Sequence, residues 1–463
     1  MWRTSLLLLC GVGITSSFVS PRARPSLARR VIERHAWEPK ADAVVDGSRG
    51  TFGYWFDPLK AFDYAHPSPV EPTTTLADGR PKPRPLLLFL PPVVGNALAP
   101  FAQYPHLDRV FDVRAFKTDL EVDVSTPEVY NAFVAELATF CRQQIAKGHD
   151  VYLSGECSGG VQALAVAMSM SEKGGAGYTN PLKGLVMINP ATSHTTKPDL
   201  IATTKILLDP NTSKIRWAWE TFWYCATRGY SKSEFPRFIA LMLDNPLFDP
   251  KRCPRALRDY FFDAIPAFLA ELRLPHPCWL AGIRTIECGA HVVEDELDER
   301  RARMDGQLLG TPLLIVAGTD DEFVGMSEEA PRLKQVVDGD MAQAGINGAA
   351  SGGIAAPTTI HWVEGAGHVS TLDDRCDLTV VMCRWIRSHY GTAAAPPPLS
   401  ALEQNSAVAA SAAAEADAGR LARGGTGELH PRAEQGKMVS NAVVAAVAMS
   451  TVYLGPVAAI ASM

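Results

Sequence analysis

The chain has 463 residues, of which 47% are hydrophobic and 20% charged. This composition is typical of a globular protein with a sizeable core, and it excludes a fibrous or wholly disordered chain. Forty-four basic and fifty acidic side chains give a formal net charge of −6. The body of the chain has no Lys/Arg block, so we predict no nucleic-acid partner.

The amino-terminal residues 1–40 have the composition of a targeting sequence. An apolar run follows one arginine, as in a signal peptide, and is too short to span a bilayer comfortably. The next stretch, SSFVSPRARPSLARR, is rich in serine and arginine and has no acid, which is typical of a transit peptide. Together they resemble the bipartite presequences of algae with secondary plastids, so we predict a plastid location. A plain secretory signal is the alternative.

A lead-in segment over residues 41–83 precedes a region, residues 84–391, in which short apolar runs alternate with helical patterns. This alternation is typical of βαβ units and predicts a mostly parallel sheet flanked by helices. The predicted strands are 86–90, 110–116, 151–154, 184–188, 313–317 and 359–363, and the predicted helices are 129–147, 160–173 and 374–389.

Residues 191–310 interrupt this alternation with helix-like stretches and a dense aromatic group. The aromatic residues are Trp217, Trp219, Phe222, Trp223 and Tyr224. An insertion of this size in an α/β fold is commonly a cap over the site, so we predict a helical cap. A helical extension that only stabilises the fold is the alternative.

The predicted strand 151–154 runs into GECSGG and then into a helix, which is the context of a G-x-nucleophile-x-G elbow. Small residues two positions before and after the nucleophile allow the backbone to turn sharply. Cys157 as the centre places Gly155 and Gly159 at these positions. Ser158 is a weaker second candidate, because Glu156 would then occupy one of them.

An acid and a base follow the nucleophile in the order of an α/β-hydrolase triad. Asp321 follows the predicted strand 313–317, with Asp320 as a neighbouring candidate, and His368 ends a glycine-lined loop after the predicted strand 359–363. In this interpretation His368 takes the thiol proton and later activates water or an alcohol. Asp321 would orient the imidazole and stabilise its cation.

The oxyanion hole is predicted to consist of two backbone N–H groups, those of Val93 and Ser158. Pro92 has no N–H to donate. The nine cysteines form no CxxC pair and no metal-ligand spacing with histidine. We therefore predict no metal and no cofactor, and reduced thiols.

The carboxyl-terminal residues differ from the middle of the chain. Residues 392–437 are rich in Ala, Gly and Pro and predict a disordered linker. Residues 438–463 carry no charge and have the length of a membrane helix, although the high alanine content makes their transfer into lipid weakly favourable. A membrane helix and a loosely docked helix are both consistent with this segment. The first would place the protein at a membrane or lipid-droplet surface.

Five segments within residues 84–390 resemble the hydrolase part of the plant phytyl ester synthases. The segments are LLLFLPPVVGNALAPFAQYPHLDRVFDVRAFK, VYLSGECSGGVQALAVAMS, GLVMINPATS, AGTDDEFVGMSEEAPRL and GAGHVSTLDD. The resemblance implies an α/β-hydrolase fold and an esterase or acyltransferase for phytyl, fatty acyl and other lipid esters in plastids.

The chain departs from this family at three places. Cys157 stands at the family's serine position, Pro92 replaces a glycine and Val94 an aspartate. The second, acyltransferase domain of the family has no counterpart here, which removes ester synthesis by that domain.

Cysteine at the elbow leaves three interpretations open. The first is an active thiolate that forms an acyl-thioester with the help of His368. The second is acyl-chain transfer like that of polyhydroxyalkanoate synthases, which use a G-x-C-x-G elbow. The third is a lipid-binding protein with weak or no catalysis on the same fold.

Overall fold

The computed structural model describes residues 39, 41–61, 64, 82–92, 95, 100, 103–119, 122–174, 177–195, 197, 201, 205, 278–303, 308–338, 358–368, 370–372 and 376–391. The predicted presequence apart from residue 39, the larger part of the predicted cap, the linker and the apolar tail lie outside these residues.

Seven strands form one mostly parallel sheet with the order β1-β3-β2-β4-β7-β8-β9. The strands of this sheet are β1 (Gly53–Phe56), β2 (Leu86–Leu90), β3 (Asp112–Thr118), β4 (Val151–Glu156), β7 (Gly184–Ile188), β8 (Leu313–Gly318) and β9 (Thr359–Val363). The edge strand β1 pairs antiparallel with β3, whereas the other neighbours pair in parallel. A separate antiparallel hairpin consists of β5 (Glu172–Gly174) and β6 (Gly177–Thr179).

Helices cover both faces of the sheet. They are α1 (Pro58–Ala61), α2 (Tyr104–Leu107), α3 (Pro127–Ala146), α4 (Ser158–Met170), α5 (Cys278–Arg303), α6 (Met326–Asp338) and α7 (Leu378–Tyr390). Helices α3, α4, α5 and α6 contribute to one hydrophobic core, and α1, α2 and α7 contribute to the other.

Strands β2, β7 and β8 are apolar along their whole length because both of their faces are buried. In β2, Leu86, Leu88 and Leu90 belong to one core, whereas Leu87 and Phe89 belong to the other. Alternate side chains of a strand point to opposite faces, so a strand between two helical layers favours apolar residues at most positions. This requirement explains the continuous apolar runs of the sequence.

The predicted strands 86–90, 184–188 and 359–363 coincide with β2, β7 and β9. The helix predicted at 160–173 begins two residues earlier and ends at Met170, because Glu172 already belongs to β5. The sheet also includes β1, which lies in the predicted lead-in segment, so the fold begins before residue 84. At the end of the predicted cap region, α5 packs on α4 and α3.

The strand order, the single antiparallel edge strand and the helices on both faces confirm the predicted α/β-hydrolase fold. Within the part of the chain that the structure describes, no helix combines the length and apolarity needed to cross a bilayer. The parallel strands place their carboxyl ends at one edge of the sheet, where sites of open α/β sheets are found.

Candidate active site

Cys157 lies at the sharp turn between β4 and α4 and has φ 56° and ψ −118°. A positive φ is uncommon for a residue with a Cβ and costs on the order of 1–3 kcal/mol. Its backbone is held by three hydrogen bonds: its N–H donates to Ile188 O, and its carbonyl accepts from Gly160 N and Ala191 N. These bonds maintain a conformation that presents the thiol at the carboxyl edge of the sheet.

The two elbow glycines are required because backbone atoms approach them closely. A Cβ on Gly155 would lie 2.0 Å from Gly159 O, and a Cβ on Gly159 would lie 2.3 Å from Leu90 O. Both neighbours are backbone atoms that cannot move aside without disturbing β2 or α4. The structure thus supplies a steric reason for both glycines of the motif.

Asp321 follows β8 and is 3% exposed. Its Oδ1 accepts hydrogen bonds from the backbone N–H groups of Phe323 (2.9 Å) and Val324 (3.2 Å). The other oxygen, Oδ2, lies 2.9 Å from Nδ1 of His368. The alternative acid, Asp320, is exposed and accepts a hydrogen bond from Thr319 Oγ1.

His368 is mostly buried and has Asp321 as the partner of its Nδ1. Burial alone would lower the pKa of His368, but the charge of Asp321 and the neighbouring Cys157 raise it well above its usual value. Its Nε2 makes no hydrogen bond of normal geometry with the described residues. The ring also packs on Phe323, with 4.7 Å between ring centroids. Nδ1 is thus fixed, and Cys157 is near enough to affect the protonation of the ring.

Asn189, which the sequence did not single out, joins the loop that carries Asp321 to the loop that carries His368. It follows β7 with φ 40° and is fully buried. Its Oδ1 accepts from Gly318 N, and its Nδ2 donates to three oxygens. These are Gly367 O, His368 O and Ser370 Oγ. Its position directly after the predicted strand 184–188 was the only signal available in the sequence.

Glu156 is a second polar residue whose importance the sequence did not reveal. It is 2% exposed, and its Oε1 accepts a hydrogen bond of 2.9 Å from Thr371 Oγ1. Its Oε2 is buried and has no partner among the described atoms. Burial raises the pKa of Glu156 to about 7, against lowering by the Thr371 hydrogen bond and by His368.

The predicted oxyanion hole is described in part. Ser158 is the first residue of α4, so its backbone N–H has no partner within the helix. Val93 lies outside the described residues, whereas the adjacent Pro92 is described. The helix N-terminus at Ser158 also favours negative charge at this point.

The described residues contain no group of three or more His, Cys, Asp or Glu side chains that could hold a metal ion. Cys141, Cys157, Cys288, Cys376 and Cys383 are free thiols. The arrangement around Cys157 therefore consists of a thiol, an imidazole and two carboxylates, which are the groups needed for nucleophilic and acid–base chemistry.

No protein-family model and no curated protein sequence matches the chain. Among solved structures, it is similar to a thermophilic esterase from Thermogutta terrifontis, with 16% identity, a TM-score of 0.41 and coverage of 70% of this chain and 100% of the other. A soluble variant of monoglyceride lipase from Saccharomyces cerevisiae has 14% identity, a TM-score of 0.40 and coverage of 69% and 90%. The Cif epoxide hydrolase from Acinetobacter nosocomialis has 10% identity, a TM-score of 0.42 and coverage of 80% and 99%. At such identities the similarity concerns the fold alone.

Proposed function

We propose that the protein is an acyl ester hydrolase or acyltransferase that uses Cys157, His368 and Asp321 as its catalytic triad. The observation that carries this proposal is the strained Cys157 at the β4–α4 turn, with an Asp321–His368 pair at the same edge of the sheet. A cysteine that only filled space would not need a positive φ. Backbone strain of this kind is found where a nucleophile must project from the sheet.

The reaction would proceed in two steps. In the first, Nε2 of His368 takes the proton of Cys157 Sγ, and the sulfur attacks the acyl carbonyl carbon. The tetrahedral intermediate collapses as the imidazolium gives its proton to the leaving alcohol, and an acyl-thioester remains. In the second step, His368 activates water or a lipid alcohol, which takes the acyl group and restores the thiol.

The charge that develops on the carbonyl oxygen needs two backbone donors. We propose the N–H of Ser158 and the N–H of Val93 for this role. The glycines Gly155 and Gly159 take no part in the chemistry but permit the turn that presents Cys157 at the carboxyl edge of the sheet.

We propose long-chain lipid or isoprenoid acyl esters, phytyl esters among them, as the substrate class. The resemblance of residues 84–390 to the phytyl ester synthases supports this choice. The plastid address in residues 1–40, the cap over residues 191–310 and a membrane or lipid-droplet contact through residues 438–463 stay predictions, since these segments lie wholly or largely outside the described residues.

The test is active-site labelling of the full-length protein with iodoacetamide and with a long-chain alkyl fluorophosphonate. Cys157→Ala should lose iodoacetamide labelling at the elbow and hydrolysis of a fatty acyl nitrophenyl ester. His368→Ala should slow both on the order of 100-fold or more, as expected for loss of a general base. Cys383→Ala removes another buried thiol and is the matched control that should change neither.

Three outcomes would replace the proposal. Fluorophosphonate labelling that persists in Cys157→Ala and maps to Ser158 would move the nucleophile to Ser158. Tight binding of the lipid ester without turnover would favour the lipid-binding alternative. Release of coenzyme A from a hydroxyacyl-CoA would instead indicate chemistry like that of polyhydroxyalkanoate synthases.

A further inference from the structure

Glu156 is a buried acid directly before the nucleophile, and the two-step reaction does not use it. Among the described residues, three groups act on it by charge or by a hydrogen bond: Tyr104 of α2, and His368 and Thr371 of the loop after β9. Tyr104 is neutral, because burial first and Glu156 second raise its pKa well above the usual value. His368 is thus the charged group that responds to Glu156.

The hydrogen bonds of Glu156 are incomplete. Oε1 accepts from Thr371 Oγ1, but Oε2 is buried without a partner among the described atoms. Burying a carboxylate with one oxygen that accepts no hydrogen bond costs free energy, and the cost is smaller for the neutral, protonated acid. Thr371 lies three residues after His368, so the one side-chain hydrogen bond of Glu156 among the described residues ties β4 to the loop that carries His368.

We propose that Glu156 is an ionisable positioning residue that acts on Cys157 through His368 and Thr371. This proposal rests on the proposed function of Cys157 as the nucleophile. When Glu156 is neutral, it only anchors the loop. When it is ionised, its negative charge stabilises the His368 imidazolium, because a charge coupling between two sites acts equally in both directions. The imidazolium in turn stabilises the Cys157 thiolate.

The inference predicts a pH signature that a purely structural role would not give. In Glu156→Gln the side chain keeps its shape and an acceptor for Thr371, but it cannot ionise. It therefore imitates the neutral acid at every pH. The rate at which iodoacetamide alkylates Cys157 should be the same in wild type and Glu156→Gln at low pH, and should be lower in the variant above neutral pH.

The experiment measures this rate by mass spectrometry between about pH 5 and pH 9 in the full-length protein. Above neutral pH the variant should react about threefold to tenfold more slowly, because the pKa of His368 falls when the negative charge of Glu156 is removed. Thr371→Val removes the hydrogen bond that lowers the pKa of Glu156, so the pH at which the charge acts should move upward. Glu172→Gln, at an exposed acid, is the matched control and should follow wild type.

The possible results separate the two proposals. A Glu156→Gln profile that is superimposable on wild type, or is lower by one constant factor at every pH, overturns the role of Glu156 and leaves Cys157 as the nucleophile. Absence of Cys157 alkylation in the wild type overturns both, because the inference depends on a reactive thiol. The role of Glu156 is supported if the alkylation rates of wild type and Glu156→Gln become equal at low pH, and if Thr371→Val moves the pH at which the charge of Glu156 acts upward.

Discussion

The buried carboxylate of Asp321 determines both the orientation and the charge of His368. Two backbone N–H groups hold Oδ1, which leaves Oδ2 directed at the imidazole. An amide at this position could orient the ring in the wrong tautomer and could not stabilise the imidazolium. Asp320, one residue earlier, is exposed and has no such relation to His368.

Asp321→Asn should therefore lower the pKa of His368 and slow both ester hydrolysis and Cys157 alkylation. We expect a loss of hydrolysis on the order of 100-fold to 10,000-fold, by comparison with the same change in serine triads. The measurement is the hydrolysis rate at neutral pH, alongside an unfolding curve. Asp320→Asn is the matched control and should retain activity; a larger effect at Asp320 would reverse the assignment of the acid.

Among the secondary-structure elements, the sequence predicted what depends on local pattern. The strands at 86–90 and 184–188 are apolar runs between turn residues, and these two strands and the strand at 359–363 were predicted to the residue. The elbow was recognisable because Gly155 and Gly159 lie at fixed spacings from Cys157. β1 was not predicted because its four residues do not form a long apolar run. Its place in the sheet depends on pairing with the distant β3.

The polar contacts between the loops could not be predicted for the same reason. Asn189 makes hydrogen bonds to residues more than 120 positions away, and Glu156 bonds to Thr371 across 215 positions. Nothing in the local sequence shows that these side chains are buried. Their roles follow only from the strand order, which brings the ends of β4, β7, β8 and β9 together.

Asn189 tests how far the ends of β7, β8 and β9 act as one unit. In Asn189→Asp, a carboxylate would face three oxygen atoms that now accept from or contact an amide nitrogen. We expect a loss of about 2–4 kcal/mol in unfolding free energy, since buried acceptors lose their donor, and at least a tenfold loss of Cys157 alkylation per folded molecule.

Asn180→Asp is the matched control for this change. Asn180 also donates partly buried hydrogen bonds through Nδ2, to Ala167 O and Leu309 O. Among the described residues it makes none to the loops that carry Asp321 or His368. It should lower the stability while leaving the alkylation rate of the folded fraction unchanged. Equal effects of both variants on alkylation would show that Asn189 has no specific influence on the triad.

At the scale of the whole molecule, two buried groups make opposite contributions to the dependence of stability on pH. Burial raises the pKa of Glu156 from 4.5 to about 7, so the folded state holds a proton that the unfolded state releases, and stability falls as the pH rises through this window. Burial lowers the pKa of His194 from 6.5 to about 4, so stability falls as the pH drops through that window. The two pH windows overlap, and the two contributions to stability largely cancel between them.

His368, with its raised pKa, adds stability that is complete below its usual pKa and is lost as the pH rises through the raised value.

Single substitutions should separate these contributions. Glu156→Gln removes the loss of stability that the ionisation of Glu156 causes as the pH rises. The variant should therefore match wild type near pH 4.5 and exceed it by up to about 3 kcal/mol in unfolding free energy at pH 8. His194→Gln removes the opposite component, so its unfolding free energy should fall more steeply than that of wild type as the pH rises from about 4 to 7. The measurement is urea unfolding at a series of pH values. If Glu156→Gln has a constant difference from wild type over this range, then Glu156 is not the buried acid that titrates near neutrality, and the ionisation on which its proposed influence over His368 depends would not occur.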